Sequence, residues 1–263
     1  MNENQGRPRS MMMLYIIFLL SSFYLFSWLQ GLFFSLFTQL SPLSLVMMTA
    51  PYVLGMLFLA LGSRIAFKTT LFTRPRPLLF FLIFIAFFCI LAILALFKDL
   101  RPSEMKSSLS WIAASLLFTS IQVLFEESLF RMALSRIEGN ELPEHAIAYS
   151  LLSGLAFTAA HLSNPEAIDV QALAFYFSMG FVLMYLSLKA KGFEPALAIH
   201  LANNLFVDLV VGYEGPMLKR PLYLQPDPTK SLLADTLISL TLITILTLLF
   251  LRRSPYAKEE KKA

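Results

Sequence analysis

Residues 111–134 read WIAASLLFTSIQVLFEESLFRMAL. The run is apolar and long enough to cross a bilayer, which takes about 17–25 residues. Yet it carries Glu126, Glu127 and Arg131. A charged side chain at the bilayer centre costs about 2.5–3.5 kcal/mol on insertion scales, so three left unpaired would cost roughly 8–10 kcal/mol. A membrane helix that keeps such groups turns them toward protein or a watered cavity, and a functional role is the default expectation.

At about 100° per residue, Ser115, Thr119, Gln122 and Glu126 fall within one stripe about 60° wide. Such a stripe avoids lipid and lines the bundle interior or a cavity. Glu127 and Arg131 are spaced i,i+4 with the acid first, the favourable order for a helical ion pair. The spacing expects Glu127 and Arg131 to neutralise one another, leaving Glu126 on the stripe as a general base or acid. Arg131 is also within reach of Glu126, and the sequence leaves both pairings open.

The whole chain agrees with a membrane setting. Its 263 residues are 57% hydrophobic and 14% charged, with a mean hydropathy of +0.68. Soluble domains are about 45–50% apolar and about 25% charged. The expectation is an all-α, polytopic integral membrane protein forming a single domain over residues 1–263. Eight candidate spans are legible: roughly 11–38, 42–63, 77–97, 109–135, 146–163, 168–188, 195–212 and 231–251. The second carries Pro51, and the third is expected to face lipid over much of its surface. The uncharged run after Arg9 is too long for a signal-peptide core of about 7–15 residues, so it is read as a retained span. Cys89, the single cysteine, forms no internal disulfide and is expected to be buried and inert.

With eight spans, 14 of the 21 Lys and Arg residues fall on the side of the two termini and 6 on the other, with Arg131 in the membrane. Both termini are therefore expected in the cytoplasm. The net charge of +4 suits cytoplasmic loops against anionic lipid and not a nucleic acid. The Pro-rich stretch 212–230 reads as an extracytoplasmic cap, an interfacial segment or a plain solvated connection. Residues 252–263 read as a solvated anchor at the lipid surface.

Two of the three histidines lie within spans. The fifth span ends in Phe157-Thr158-Ala159-Ala160-His161, and the seventh reads His200-Leu201-Ala202-Asn203-Asn204, with Asp208 following more loosely. His200 and Asn204 share a helix face at i,i+4. His145, beside Glu144, reads as a solvated surface group. A carboxylate and an imidazole can take a proton from water. An asparagine amide and a second imidazole can donate to a developing oxyanion.

Glu126-Glu127-x-x-x-Arg131, Phe157-x-x-x-His161 and His200-x-x-x-Asn204 resemble the three motifs of the CAAX protease and bacteriocin-processing family, intramembrane glutamic endopeptidases that include the type II CAAX prenyl endopeptidases. The resemblance rests on residues of about 110–212. It implies that Glu126 and His161 activate water, that His200 and Asn204 form an oxyanion hole, and that Glu127 and Arg131 support the site. It implies no metal and no cofactor. The expected substrate is a membrane-tethered polypeptide cut near the cytoplasmic face, in a prokaryotic plasma membrane. For straight spans His161 lies toward the far end of its helix. The expectation is therefore that residues 137–145 dip into the membrane, with Pro143 in the first turn of the fifth helix.

Two other classes compete. A zinc protease would use His161, His200 and either Glu126 or Asp208, a known type of catalytic ligand set, but the H-E-x-x-H helix is absent. A non-enzymatic proton relay or immunity protein could use the same groups, but no inverted repeat supports a transporter. Ser153-Gly154 lacks a rhomboid pattern and is expected instead to let two helices pack closely.

Overall fold

The computed structural model describes residues 9–37, 41–67, 76–97, 100–102, 108–134, 145–164, 169–212, 223–224 and 228–253. The helices are α1 (Arg9–Leu36), α2 (Pro42–Met47), α3 (Ala50–Phe67), α4 (Pro77–Ala95), α5 (Leu109–Glu127), α6 (Ala146–Ala160), α7 (Val170–Ala190), α8 (Glu194–Leu205) and α9 (Pro228–Arg253). Three two-residue strands, β1 (Arg101–Pro102), β2 (Val211–Gly212) and β3 (Tyr223–Leu224), are the only extended pairing among the described residues. The protein is all-α apart from these. Every expected span contains helix. Among the described residues, five stretches are long and apolar enough to cross a membrane: Met13–Phe33, Pro42–Ala66, Pro77–Ala95, Leu109–Ala133 and Val170–Ala190. Ala146–Ala160 and Leu237–Leu249 are apolar but shorter. The expectations for 137–144, 213–222 and 254–263 lie outside the described residues.

The chain forms two compact units, Met1–Pro75 with Ser107–Leu142, and Arg76–Lys106 with Pro143–Ala263. In the first, the expected second span is broken. Ser41 and Ser44 form a reciprocal capping box that starts α2, with Pro42 in its first turn. The chain then re-enters helix at Ala50, which places Pro51 in the first turn of α3, where its missing N–H costs nothing. Glycines let α3 approach its neighbours. A Cβ on Gly62 would lie 2.6 Å from Phe18 of α1, and one on Gly55 would lie 2.5 Å from the Phe125 ring of α5. Ser22 Oγ also donates to the Gly55 carbonyl at 2.9 Å. Phe26, Tyr52 and Phe125 then pack ring on ring, with centroids 4.6–5.7 Å apart. This cluster seats the end of α5 that carries the acidic pair.

In the second unit, α4 buries Leu79, Ile83, Phe87 and Leu91 along one stripe. Leu78, Phe81, Leu82, Ile85 and Ile93 on its other side are exposed from the protein, as expected for a lipid-facing helix. Cys89 is also exposed, which corrects the expectation of a buried thiol. It falls on the outer side of a helix whose two faces are equally apolar, so hydrophobicity did not distinguish lipid from core. α6 and α7 meet at their glycines: a Cβ on Gly180 would sit 2.8 Å from Gly154 Cα, Phe157 Cβ and the Ser153 carbonyl. This is the close packing expected of Ser153-Gly154. α7 starts on Asp169, which accepts the Gln171 N–H at 2.8 Å. It ends at Lys191 in a left-handed conformation (φ 51°), followed by Gly192.

That terminus is clasped. Arg76 donates from its backbone N–H to Glu194 Oε1 (3.0 Å) and from its guanidinium to Glu194 Oε2 (2.7 Å) and the Ala190 carbonyl (2.9 Å). One side chain thereby joins the start of α4, the end of α7 and the start of α8. A Cβ at Gly192 would run into both the Arg76 guanidinium and the Glu194 carboxylate. The strands order as β1-β3-β2, with β1–β3 antiparallel and β2–β3 parallel.

Candidate functional site

The acidic constellation sits where α5 changes form. After Glu127 the α-helix gives way to a π-helical turn over Ser128–Ala133. Such i→i+5 turns are rare and occur mostly as single bulges, frequently at functional sites. The polar stripe is inward, as expected: Ser115 and Thr119 are buried, and so is Glu126, at 8% exposure. Gln122 Nε2 donates to Glu126 Oε1 at 3.0 Å, so the stripe orients this carboxylate. Glu127 Oε1 and Arg131 Nη1 lie 3.3 Å apart, with both side chains fully buried. The expected i,i+4 pair is present, although Arg131 lies in the wide turn.

The imidazole constellation lies in the second unit. α6 ends at Ala160, and His161 is its C-cap, with φ −101° and ψ 2°. His161 Nδ1 lies 2.7 Å from the Phe157 carbonyl oxygen. A carbonyl only accepts, so Nδ1 carries the proton and Nε2 is the basic nitrogen. The Phe157 ring packs against His161 with centroids 4.3 Å apart and against His200 at 5.7 Å, edge-on. The motif phenylalanine is thus the wall on which both histidines rest. On α8, Asn203 Nδ2 donates to Asn204 Oδ1 at 3.2 Å, and Asn204 Nδ2 approaches His200 Nε2 at 3.4 Å. Asn203 thereby turns the Asn204 amide so that its donor end faces His200. After Leu205 the chain again widens into a π turn, Phe206–Val210. That turn breaks the i,i+4 step expected to carry Asp208 onward from Asn204. His145 is an exposed N-cap to α6, as expected of a surface group.

Three contributors were not legible in the sequence. Tyr176 of α7 stacks on His161 with centroids 4.4 Å apart and planes 25° apart. Asn164 Nδ2 donates to the Tyr176 hydroxyl at 3.0 Å. Asn203 is the third. An aromatic in an apolar span carries no signal of its own, and only the doubled Asn203-Asn204 hints at a second amide. Among the described residues, no group of three or more His, Cys, Asp or Glu is placed to hold a metal ion.

Residues 106–206 match the family model described as Type II CAAX prenyl endopeptidase Rce1-like. Glu126, Glu127, Arg131, His161, His200 and Asn204 all fall within that segment. Over 102 residues the chain is 33% identical to the "Uncharacterized protein YyaK" of Bacillus subtilis (strain 168), a match covering 38% of this chain and 34% of that protein. The chain therefore matches about a third of that relative's length. No solved structure matches. The five apolar helices and this similarity mark an integral membrane protein with a Rce1-like segment, consistent with the CAAX protease family.

Proposed function

We infer that this chain, through its Rce1-like segment, is an intramembrane endopeptidase that hydrolyses a peptide bond in a membrane-tethered polypeptide near the cytoplasmic face. Glu126 and His161 are the water-activating pair in this reading. Their acceptors take a proton as the water oxygen attacks the scissile carbonyl carbon. The Asn204 amide donates to the oxyanion that forms, and His200 joins it in the neutral tautomer that carries its own ring proton on Nε2. The C–N bond then breaks as a proton passes to the departing amine. Glu127 and Arg131 support the glutamate, and the chain acts as one integral membrane domain requiring both constellations. Both termini lie in the cytoplasm of a prokaryotic cell, and the basic loops meet anionic lipid.

The observation that supports this reading best is the setting of His161. It lies in the matched segment, with Nδ1 tied to a carbonyl and Nε2 left as the base. The test is cleavage of membrane-anchored reporters, tethered either by a lipid or by a single span, in cells expressing the chain. Glu126→Gln, His161→Ala, His200→Ala and Asn204→Ala are each expected to abolish cleavage while the protein remains inserted. Full activity in Glu126→Gln refutes the mechanism.

A further inference from the structure

We propose that Tyr176, tethered by Asn164, is a positioning residue that holds His161 in the tautomer and orientation in which Nε2 is the base. The inference rests on the water-activating role given to His161 above, but the positioning itself is argued from ring geometry.

His161 needs such help. It stands at a C-cap, past the last helical turn and half-buried, so the helix does not lock its side chain. In water a neutral imidazole favours the Nε2–H form. Here the 2.7 Å contact to the Phe157 carbonyl requires Nδ1–H. That one bond still allows the ring to swing about its axis. Two aromatic faces restrict the swing: Phe157 from the preceding turn, tilted at 37°, and Tyr176 from α7, nearly parallel at 25°.

Tyr176 is itself held. It is 9% exposed, and its hydroxyl accepts from Asn164 Nδ2 at 3.0 Å. Asn164 is anchored by its backbone N–H to the His161 carbonyl at 3.0 Å. The chain of contacts therefore closes on itself: His161 to Asn164 through the turn, Asn164 to Tyr176, and Tyr176 back onto the His161 ring. One turn along α7 from Tyr176, Gly180 presses against Gly154 and Phe157. That contact sets the depth at which α7 lies, and with it the stacking distance.

The test uses the full chain in detergent micelles with ¹⁵N-labelled histidine. Only three histidines are present, and His145→Gln and His161→Gln assign the signals. Wild-type His161 is expected as the Nδ1–H tautomer. Tyr176→Leu, which removes the stack, is expected to give an interconverting mixture of tautomers. Tyr176→Phe and Asn164→Ala each delete the Asn164–Tyr176 hydrogen bond, so each is expected to give a partial mixture. On a cleavable reporter, Tyr176→Leu is expected to lower kcat about tenfold to a hundredfold with KM unchanged, the scale of a misplaced catalytic group. An Nε2–H wild type, or a folded Tyr176→Leu with the wild-type His161 spectrum, overturns the proposal. If Tyr176→Leu does not fold, an unchanged spectrum in both Tyr176→Phe and Asn164→Ala overturns it. Spectra that behave as expected in a chain that cleaves nothing leave the positioning standing and refute the endopeptidase reading instead.

Discussion

Removing one partner of the Glu127–Arg131 pair should be far worse than removing both. The two groups lie 3.3 Å apart and both side chains are fully buried. At an effective dielectric of about 20, opposite unit charges at that distance attract by about 5 kcal/mol. Desolvation costs several kcal/mol for each ion, so the intact pair is roughly neutral for stability. Glu127→Gln alone leaves the buried guanidinium with Glu126 as its remaining acidic neighbour, and Arg131→Met alone leaves a buried carboxylate without the cation it faces. Each is expected to cost about 3–5 kcal/mol. The double variant removes both desolvation penalties and leaves Glu126 on its Gln122 hydrogen bond, so it is expected to regain part of the loss, giving a coupling of at least about 2 kcal/mol. The assay is reversible unfolding in mixed micelles with a denaturing detergent, followed by tryptophan fluorescence. Trp28 and Trp111 both lie in the unit that holds the pair, so the signal reports the right part of the molecule. Single costs that simply add, to within about 0.5 kcal/mol, would refute the buried-pair reasoning.

Gly180→Ala places a methyl 2.8 Å from Gly154 Cα, Phe157 Cβ and a carbonyl oxygen. It is expected to cost about 1–3 kcal/mol and to shift the histidine NMR signals, since Phe157 carries both rings; thermal unfolding and the same ¹⁵N spectra check this. Arg76→Lys keeps the charge but loses the fork that reaches both Glu194 and the Ala190 carbonyl. It is expected to lower the unfolding midpoint by an amount equivalent to about 1 kcal/mol, whereas Glu194→Gln combined with Arg76→Lys should be little worse than Arg76→Lys alone. Reporter cleavage is expected to survive treatment with a strong divalent-metal chelator, and metal analysis of the active protein is expected to find no stoichiometric zinc; loss of cleavage restored by zinc would favour the zinc protease instead.

Local spacing alone carried a good deal. The i,i+4 rule found Glu127 with Arg131, and His200 with Asn204, because helix geometry makes neighbours of residues four apart. The cost of charge in lipid singled out the span that bears Glu126, and the same periodicity turned Ser115, Thr119 and Glu126 inward. Ser153-Gly154 announced a close helix contact, and the structure supplied its partner in Gly180. Other features were beyond any local rule. The π turns after Glu127 and Leu205 depend on how the widened backbone packs, and no residue in those stretches signals them. Arg76 and Glu194 are 118 positions apart, and Tyr176 looks like any other aromatic in an apolar helix. Cys89 came out on the exterior because both faces of α4 are equally hydrophobic. Sequence by itself determined which stretches are helical, which face bears polar groups and which charges pair along one turn, since those are properties of a single helix. Tertiary structure alone decided which ring lies on His161 and which distant side chain clasps α8, because these contacts join residues that only the packing of one helix on another brings together.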